Sequence, residues 1–245
     1  MKKIIGIIPS RYASTRFPGK PLADIGGKPM IQRVFEQASK SSSLAEVIVA
    51  TDDERIQECV LGFGGKVAMT SPDHTNGTER CAEVAETNSA DYYINIQGDE
   101  PFIHPEQIDT LAAILDGSTQ LGTLVKKITD PSLLDNPNTM KVVLKKNWEA
   151  LYFSRNCVPF VRDAEKKDWL YHHTFYKHIG IYAYRADVLS EITKLPQGLL
   201  EKAESLEQLR WLENGYTIKV AETEHESMGI DTPEDVDRAL KMSGL

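Results

Sequence analysis

Four short apolar runs, the first three each followed by a segment of helical period, constrain this chain more than any other feature. Ile4-Ile5-Gly6-Ile7-Ile8 ends in a loop rich in Pro, Ser and Gly, after which Met30, Ile31, Val34, Phe35 and Ala38 fall at helical spacing. Val47-Ile48-Val49-Ala50 runs into Thr51-Asp52-Asp53-Glu54, where Thr51 or Asp52 could cap a helix through Ile56, Val60 and Leu61. Lys66-Val67-Ala68-Met69 is a third strand, and Asn76-Gly77-Thr78 supplies the turn and cap of a helix from Glu79 to Glu86. Tyr92 to Ile96 is a fourth, opening onto Gln97-Gly98-Asp99-Glu100-Pro101. Strands buried on both faces and separated by helices predict an α/β fold with a doubly wound, mostly parallel (mixed) sheet over residues 1 to about 135.

After that the rhythm changes. Lys141 to Leu144, Ala150 to Phe153 and His178 to Tyr184 read as strands without regular helices between them, which predicts an antiparallel lobe inserted at about residues 136–190. The C-terminal part returns to helix (Leu206, Leu209 and Leu212, stopped by Asn214-Gly215), strand (Tyr216 to Val220) and a final helix after Thr232-Pro233. With no repeat or linker, residues 1–245 read as one domain.

Charge narrows the function. The chain carries a formal −8, yet residues 1–35 hold seven basic side chains against Asp24 alone, and the remainder holds 21 against 35 acids. A net positive charge concentrated in 35 residues of an acidic chain suits a small anion and disfavours nucleic acid, which needs a broad basic surface. The apolar run after Met1-Lys2-Lys3 is too short for a signal segment or membrane span, so no membrane association is expected. Cys59, Cys81 and Cys157 form no metal-ligand or disulfide pattern, and a cytoplasmic setting follows.

The basic segment centres on Pro9-Ser10-Arg11-Tyr12-Ala13-Ser14-Thr15-Arg16-Phe17-Pro18-Gly19-Lys20. It matches neither GxGxxG nor GxxxxGK[ST]. Small residues alternate there with Arg11, Arg16 and Lys20, so backbone N–H groups and three cations could converge on a polyphosphate; a solvated basic turn is the plainer alternative. Asp99 stands past the end of a strand and Asp231 before a helix start, where together they could hold a divalent cation, although Asp231 alone reads more readily as a helix cap. His178 and Tyr182 share one strand face with Gly180 between them, either as ordinary packing or as the wall of a polar pocket.

RYASTRFPGKPL with IGGKPMI, DHTNGTER at 73–80, NIQGDEP at 95–101, YFSR at 152–155, HIGIYAYR at 178–185, LEQLRWL at 206–212 and GIDTPEDV at 229–236 resemble, in order, the motifs of the CMP-sugar synthetases, and among them the 3-deoxy-manno-octulosonate (KDO) cytidylyltransferases. The resemblance covers nearly the whole chain. It implies a Rossmann-like nucleotidyltransferase fold whose inserted lobe forms a homodimer, and attack by an octulosonate hydroxyl on the α-phosphate of CTP, for lipopolysaccharide biosynthesis. It implies Mg²⁺ on Asp99 and Asp231, with Arg11 and Lys20 on the β- and γ-phosphates as the further catalytic residues. Nucleotide contacts would come from Pro9, Arg11, Ser14, Lys20, Ser71, Gly77 and Arg80, with Pro9, Ser71 and Gly77 lining the base slot. The sugar would meet Gln97, Arg155, His178, Tyr182, Glu207 and Gln208, with Arg155 on its carboxylate. Where the family shows a stretch like SRAxIPW, this chain reads Ser154-Arg155-Asn156-Cys157-Val158-Pro159-Phe160. That departure leaves open an amino-substituted octulosonate, and a CMP-sialate or other sugar nucleotidyltransferase is the alternative on the same scaffold.

Overall fold

The computed structural model of the chain describes residues 2–13, 16–226 and 228–243. β1 (Ile4–Ser10), α1 (Met30–Ala38), β2 (Glu46–Thr51), α2 (Glu54–Gly62), β3 (Lys66–Met69), α3 (Gly77–Thr87) and β4 (Tyr92–Asn95) alternate as expected. α4 (Pro105–Ala113) and β5 (Leu121–Lys127) follow, then β6 (Lys141–Leu144), β7 (Ala150–Ser154), α5 (Trp169–His172) and β8 (Tyr176–Arg185). The chain ends with α6 (Ala186–Ile192), α7 (Leu199–Glu204), α8 (Gln208–Glu213), β9 (Ile218–Glu222) and α9 (Pro233–Ser243).

The main path of the sheet runs β3-β2-β1-β4-β8-β5-β9, with β8 antiparallel to both β4 and β5 and the other six strands aligned. Side chains alternate across it: Ile5 and Ile7 pack into a core layer with Tyr93, Tyr184 and Trp211, whereas Ile4 and Ile8 pack into the opposite layer with Val34, Val49 and Ile94. Each fully buried aliphatic side chain stabilises the fold by about 1.5–3 kcal/mol. This two-sided burial is why those strands read as apolar runs.

The expected mixed, doubly wound fold is the one observed, with local differences. The strand from His178 to Tyr184, expected in the inserted lobe, lies in the centre of the main sheet, while β6 and β7 pair with each other and β6 with only Tyr176 and Lys177 of β8. β8 lies between β4 and β5, and α6, which follows it directly, packs on α3. Asp53, rather than Thr51 or Asp52, caps α2 by accepting from Arg55 N at 3.0 Å. Asn76 caps α3 as expected, accepting from Glu79 N at 2.9 Å. Among the described residues no helix is long and apolar enough to cross a membrane.

Candidate active site

β1 has β2 on one side and β4 on the other, so the carboxyl ends of β1 and β4 bound the point where the winding of the sheet reverses. Such a point leaves a crevice above the strands. Here it is a cleft of about 280 Å³ lined by Pro9, Ser10, Arg11, Arg16, Lys20 and Pro21 from the first loop, His74 to Gly77 and Arg80 from the start of α3, Gln97 to Asp99 after β4, and Asp231 before α9. Two glycines let the walls close. A Cβ on Gly98 would stand 2.7 Å from Pro9 O and 2.9 Å from Ser10 Oγ, so only glycine lets the loop after β4 approach β1. Gly19 sits at φ +71° with its N–H on Tyr12 O at 3.0 Å, closing the basic loop on itself. Arg55, held by Asp53, lies 3.3 Å over the Tyr12 ring and fixes the loop's first turn.

Four cations and two carboxylates line the cleft. Lys20 Nζ lies 2.8 Å from Asp99 Oδ2 and 3.3 Å from Asp231 Oδ1, and Arg16 holds Asp231 at 3.1 Å. Two carboxylates converging on one ammonium are placed to share a cation, which is the requirement for a divalent ion. The Asp231 carboxylate is directed at Lys20 and Arg16, while Asp235 reaches back to accept from the backbone N–H groups of Asp231 and Thr232. Ile230 N donates to Asp99 O at 2.9 Å, tying together the two segments that carry the acids. Arg11 is exposed and makes no hydrogen bond or ion pair among the described residues, so its guanidinium is free for an incoming anion. Arg80 is 4% exposed and anchored by Thr70, Ser71 O and, at 3.5 Å, Asp52. Ser14 lies outside the described residues. Ser71 does not line the cleft; its N–H donates to Glu83 and its carbonyl accepts from Arg80 at 3.4 Å.

Beyond Gln97 the site continues into a buried polar cluster. Gln97 Nε2 donates to Gly180 O at 3.0 Å, and a side chain at Gly180 would meet nothing within 4 Å. The register of β8 on β5 slips after Thr123, so that Thr123 opposes Tyr182 and Leu124 opposes Ile179. This bulge and the lean of the rings bring His178 and Tyr182 to 5.1 Å, although residues four apart in a regular strand are about 13 Å apart. Thr123 gives its single hydroxyl proton to a backbone carbonyl, so it accepts from His178 Nε2–H at 2.9 Å and leaves Nδ1 as an acceptor. That assigns the tautomer. Burial pushes His178 down to about 3, so the ring is neutral. His178 Nδ1, Tyr182 OH and Gln208 Nε2 are buried without hydrogen-bond partners, an arrangement that costs about 1–3 kcal/mol per group unless a ligand satisfies it. Thr78, one residue after Gly77, donates to Glu207 Oε2 at 2.9 Å, and burial raises the Glu207 carboxyl above its ordinary value against that hydrogen bond. Cleft and cluster are thereby joined.

Two expectations fail on geometry. Arg155 does not reach the cleft, because its guanidinium donates to Glu204 O at 2.7 Å and Pro137 O at 3.0 Å. Phe160 is 75% exposed and packs edge-on to Trp169 at 5.1 Å, outside the cleft lining. In the other direction, the sequence reading passed over His74 and Thr75 in the cleft wall and over the buried, unpartnered Ser10 Oγ. Only their place in the quoted motifs could have marked them.

The family model for cytidylyltransferases matches residues 5–221. The chain belongs to the cytidylyltransferase family. Its relatives in that family include a 3-deoxy-manno-octulosonate cytidylyltransferase of Parabacteroides distasonis, 61% identical with 98% of each chain covered, and one of Cytophaga hutchinsonii, 58% identical over 98% of this chain and 97% of the other. A solved structure of CMP:2-keto-3-deoxy-manno-octonic acid synthetase in complex with CTP superposes with a TM-score of 0.92 at 44% identity, covering 99% of this chain and 100% of that one. A 4-diphosphocytidyl-2C-methyl-D-erythritol synthase from Anaerococcus prevotii shares the fold alone, at 14% identity and a TM-score of 0.64. The octulosonate relatives are 58–61% identical over 98% of this cytidylyltransferase, whereas the erythritol synthase covers 100% of it at 14% identity and matches only its architecture.

Proposed function

We propose that this cytidylyltransferase joins CTP to 3-deoxy-manno-octulosonate, forming CMP-KDO and pyrophosphate for lipopolysaccharide biosynthesis. The anomeric hydroxyl oxygen forms a bond to the α-phosphorus, the bond from that phosphorus to the bridging oxygen breaks, and pyrophosphate leaves with its electron pair. The observation that carries this reading is the continuity of two sites. A cleft with a free Arg11 and the Lys20-Asp99-Asp231 cluster adjoins, through Gln97 and Gly180, a buried cluster whose unpartnered imidazole, phenol and amide match a polyhydroxylated sugar.

Arg11 and Lys20 bind the β- and γ-phosphates, and the N–H groups at the start of α3 add donors beside Arg80. Pro9 at the end of β1 and Gly77 at the start of α3 line the cleft, where their main-chain groups can read cytosine. Asp99 and Asp231 hold the divalent cation, magnesium in this proposal. When bound, that ion neutralises phosphate oxygens and lowers the pKa of the attacking hydroxyl. Gln97, His178, Tyr182, Glu207 and Gln208 orient the sugar, with neutral His178 Nδ1 accepting from a sugar hydroxyl. The rate enhancement comes from positioning and charge neutralisation rather than from a covalent nucleophile. The enzyme acts as a homodimer in this reading, and the exposed Leu151, Phe160, Tyr171 and Leu199 supply apolar surface for the contact.

A pyrophosphate-release assay crossing CTP, UTP, ATP and dTTP with octulosonate, its amino-substituted analogue, sialate and sugar 1-phosphates tests base and sugar together. Turnover is expected with CTP, octulosonate and Mg²⁺. Rapid turnover with a sugar 1-phosphate and none with sugar acids would reject the reading.

A further inference from the structure

A second metal-ligand cluster lies outside the cleft, at the surface where α4 meets the segment after β9. His104 and His225 stack with ring centroids 3.7 Å apart and 4° between planes, and His225 Nε2 lies 2.7 Å from Glu106 Oε2. One nitrogen of each ring and one oxygen of Glu106 all fall within 4.8 Å of one another. The backbone around both histidines is fixed: His104 N donates to Gln107 Oε1 at 3.0 Å, His225 N to Thr223 Oγ1 at 3.1 Å, and Thr223 N to Val125 O at 2.9 Å.

We propose that His104, Glu106 and His225 form a binding site for a divalent transition metal of the zinc class. Two imidazoles and one carboxylate are the ligand set that zinc takes with an open fourth position for water, and imidazole disfavours magnesium and calcium. Zinc bonds of about 2.0–2.2 Å place neighbouring ligand atoms about 3.3–3.6 Å apart, so the present spacing needs only side-chain rotation. One ring turns out of the stack so that the nitrogen lone pairs converge. Ligation gives up the hydrogen bond between His225 Nε2 and Glu106, and the 3.3 Å bond from Glu106 N to His104 Nδ1 if that nitrogen ligates.

Position gives the site a consequence. His104 follows Asp99 by five residues and His225 precedes Asp231 by six, so a metal here fastens together the two chain segments that carry the acidic pair of the cleft. Ile230 N on Asp99 O joins the same segments from the other side. The proposal does not depend on the identity of the sugar or nucleotide.

The test uses the full chain with Mg²⁺ in large excess to saturate the Asp99 and Asp231 pair. Co²⁺ is titrated and read by its visible d–d bands, then displaced with Zn²⁺, for the parent and for a His104→Asn/His225→Gln double variant. Asparagine at 104 keeps the helix cap. The parent is expected to take up one equivalent of Co²⁺ with bands of four- or five-coordinate intensity and no sulfur charge-transfer band, and Zn²⁺ is expected to raise its melting temperature. Losing two of three ligands should weaken binding more than about 100-fold in the double variant and abolish the zinc-dependent melting shift. Equal binding by the double variant, a thiolate band, or no uptake by the parent below millimolar metal would overturn the proposal.

Discussion

Replacing Asp99 by Asn separates a functional role of the acidic pair from a structural one, because the two scales differ widely. The substitution keeps size and one acceptor and removes the charge. Lys20 Nζ lies 2.8 Å from Asp99 with side chains 16% and 30% exposed, and keeps Asp231 at 3.3 Å. Breaking a fully buried pair costs about 3–5 kcal/mol and an exposed one about 0–1 kcal/mol. This pair is partly open and Lys20 retains one partner, so a loss of about 1 kcal/mol is expected, a melting shift of about 2–4 °C for a chain of this size. Turnover should fall much further. Losing one of two carboxylates for a cation that stabilises transition-state charge by about 4 kcal/mol lowers kcat about a thousandfold. Pyrophosphate release at saturating CTP and octulosonate, with Mg²⁺ titrated, gives the first number and thermal melting the second. A kcat within tenfold of the parent at an unchanged magnesium requirement would refute the metal-ligand role.

Three further outcomes follow from the geometry. Gly98→Ala forces a methyl group against Pro9 O, so a stability loss of about 1–3 kcal/mol and weaker CTP binding are expected, read by melting and by nucleotide titration. His178 is neutral when folded, because burial pushes it down to about 3 from an unfolded value near 6.5. Between those values the unfolded chain binds the extra proton, so its contribution to stability is complete above pH 6.5 and is lost as pH falls toward 3. Urea unfolding of the parent should therefore steepen below pH 6.5 relative to His178→Gln by up to about 1.4 kcal/mol per pH unit, and parallel profiles would contradict the burial. Lys141 is wholly buried and donates to the carbonyls of Asn136, Thr139 and Arg155 at 3.0, 2.6 and 2.6 Å. Lys141→Met should cost about 3 kcal/mol by stranding those acceptors, measured as a lower urea midpoint.

The parallel strands were legible because burial on both faces leaves no polar alternation, as in Ile4 to Ile8 and Tyr92 to Ile96. β5 was not: Leu121-Gly122-Thr123-Leu124-Val125-Lys126-Lys127 mixes a glycine, a buried threonine and two lysines, and only pairing with β8 and β9 makes it a strand. α4 escaped because His104 is an unusual cap. Asp99, Lys20 and Asp231 could be named as candidates, but their meeting depends on sequence separations of 79 and 211 residues. Arg155 failed for the same reason: its carbonyl partners Pro137 and Glu204 lie 18 and 49 residues away, and nothing local distinguishes an arginine that staples backbone from one that waits for a carboxylate. The bulge that brings His178 to Tyr182 is equally invisible to a strand's period of two.

Lys20 connects the charge of the chain to its chemistry. At physiological salt charges more than about 8 Å apart are largely screened, so the cleft's own charges outweigh the chain's −8 in deciding what binds. Lys20 is the shared counter-ion of two carboxylates that would otherwise repel each other, and it is also a cation that a triphosphate can draw away. These roles oppose each other, which makes their coupling measurable. In the absence of metal, Asp99→Asn should tighten CTP binding by removing an anion beside the phosphates, and Lys20→Met should weaken it more than about tenfold by removing a cation, leaving Asp99 without this partner and Asp231 with Arg16 alone. Once Asp99 is already asparagine, the remaining acid Asp231 keeps Arg16 when Lys20 is replaced, so Lys20→Met should cost less. The double-mutant cycle should therefore show a coupling of about 0.5–3 kcal/mol, and additivity within about 0.5 kcal/mol would mean that Lys20 and Asp99 do not act as a pair.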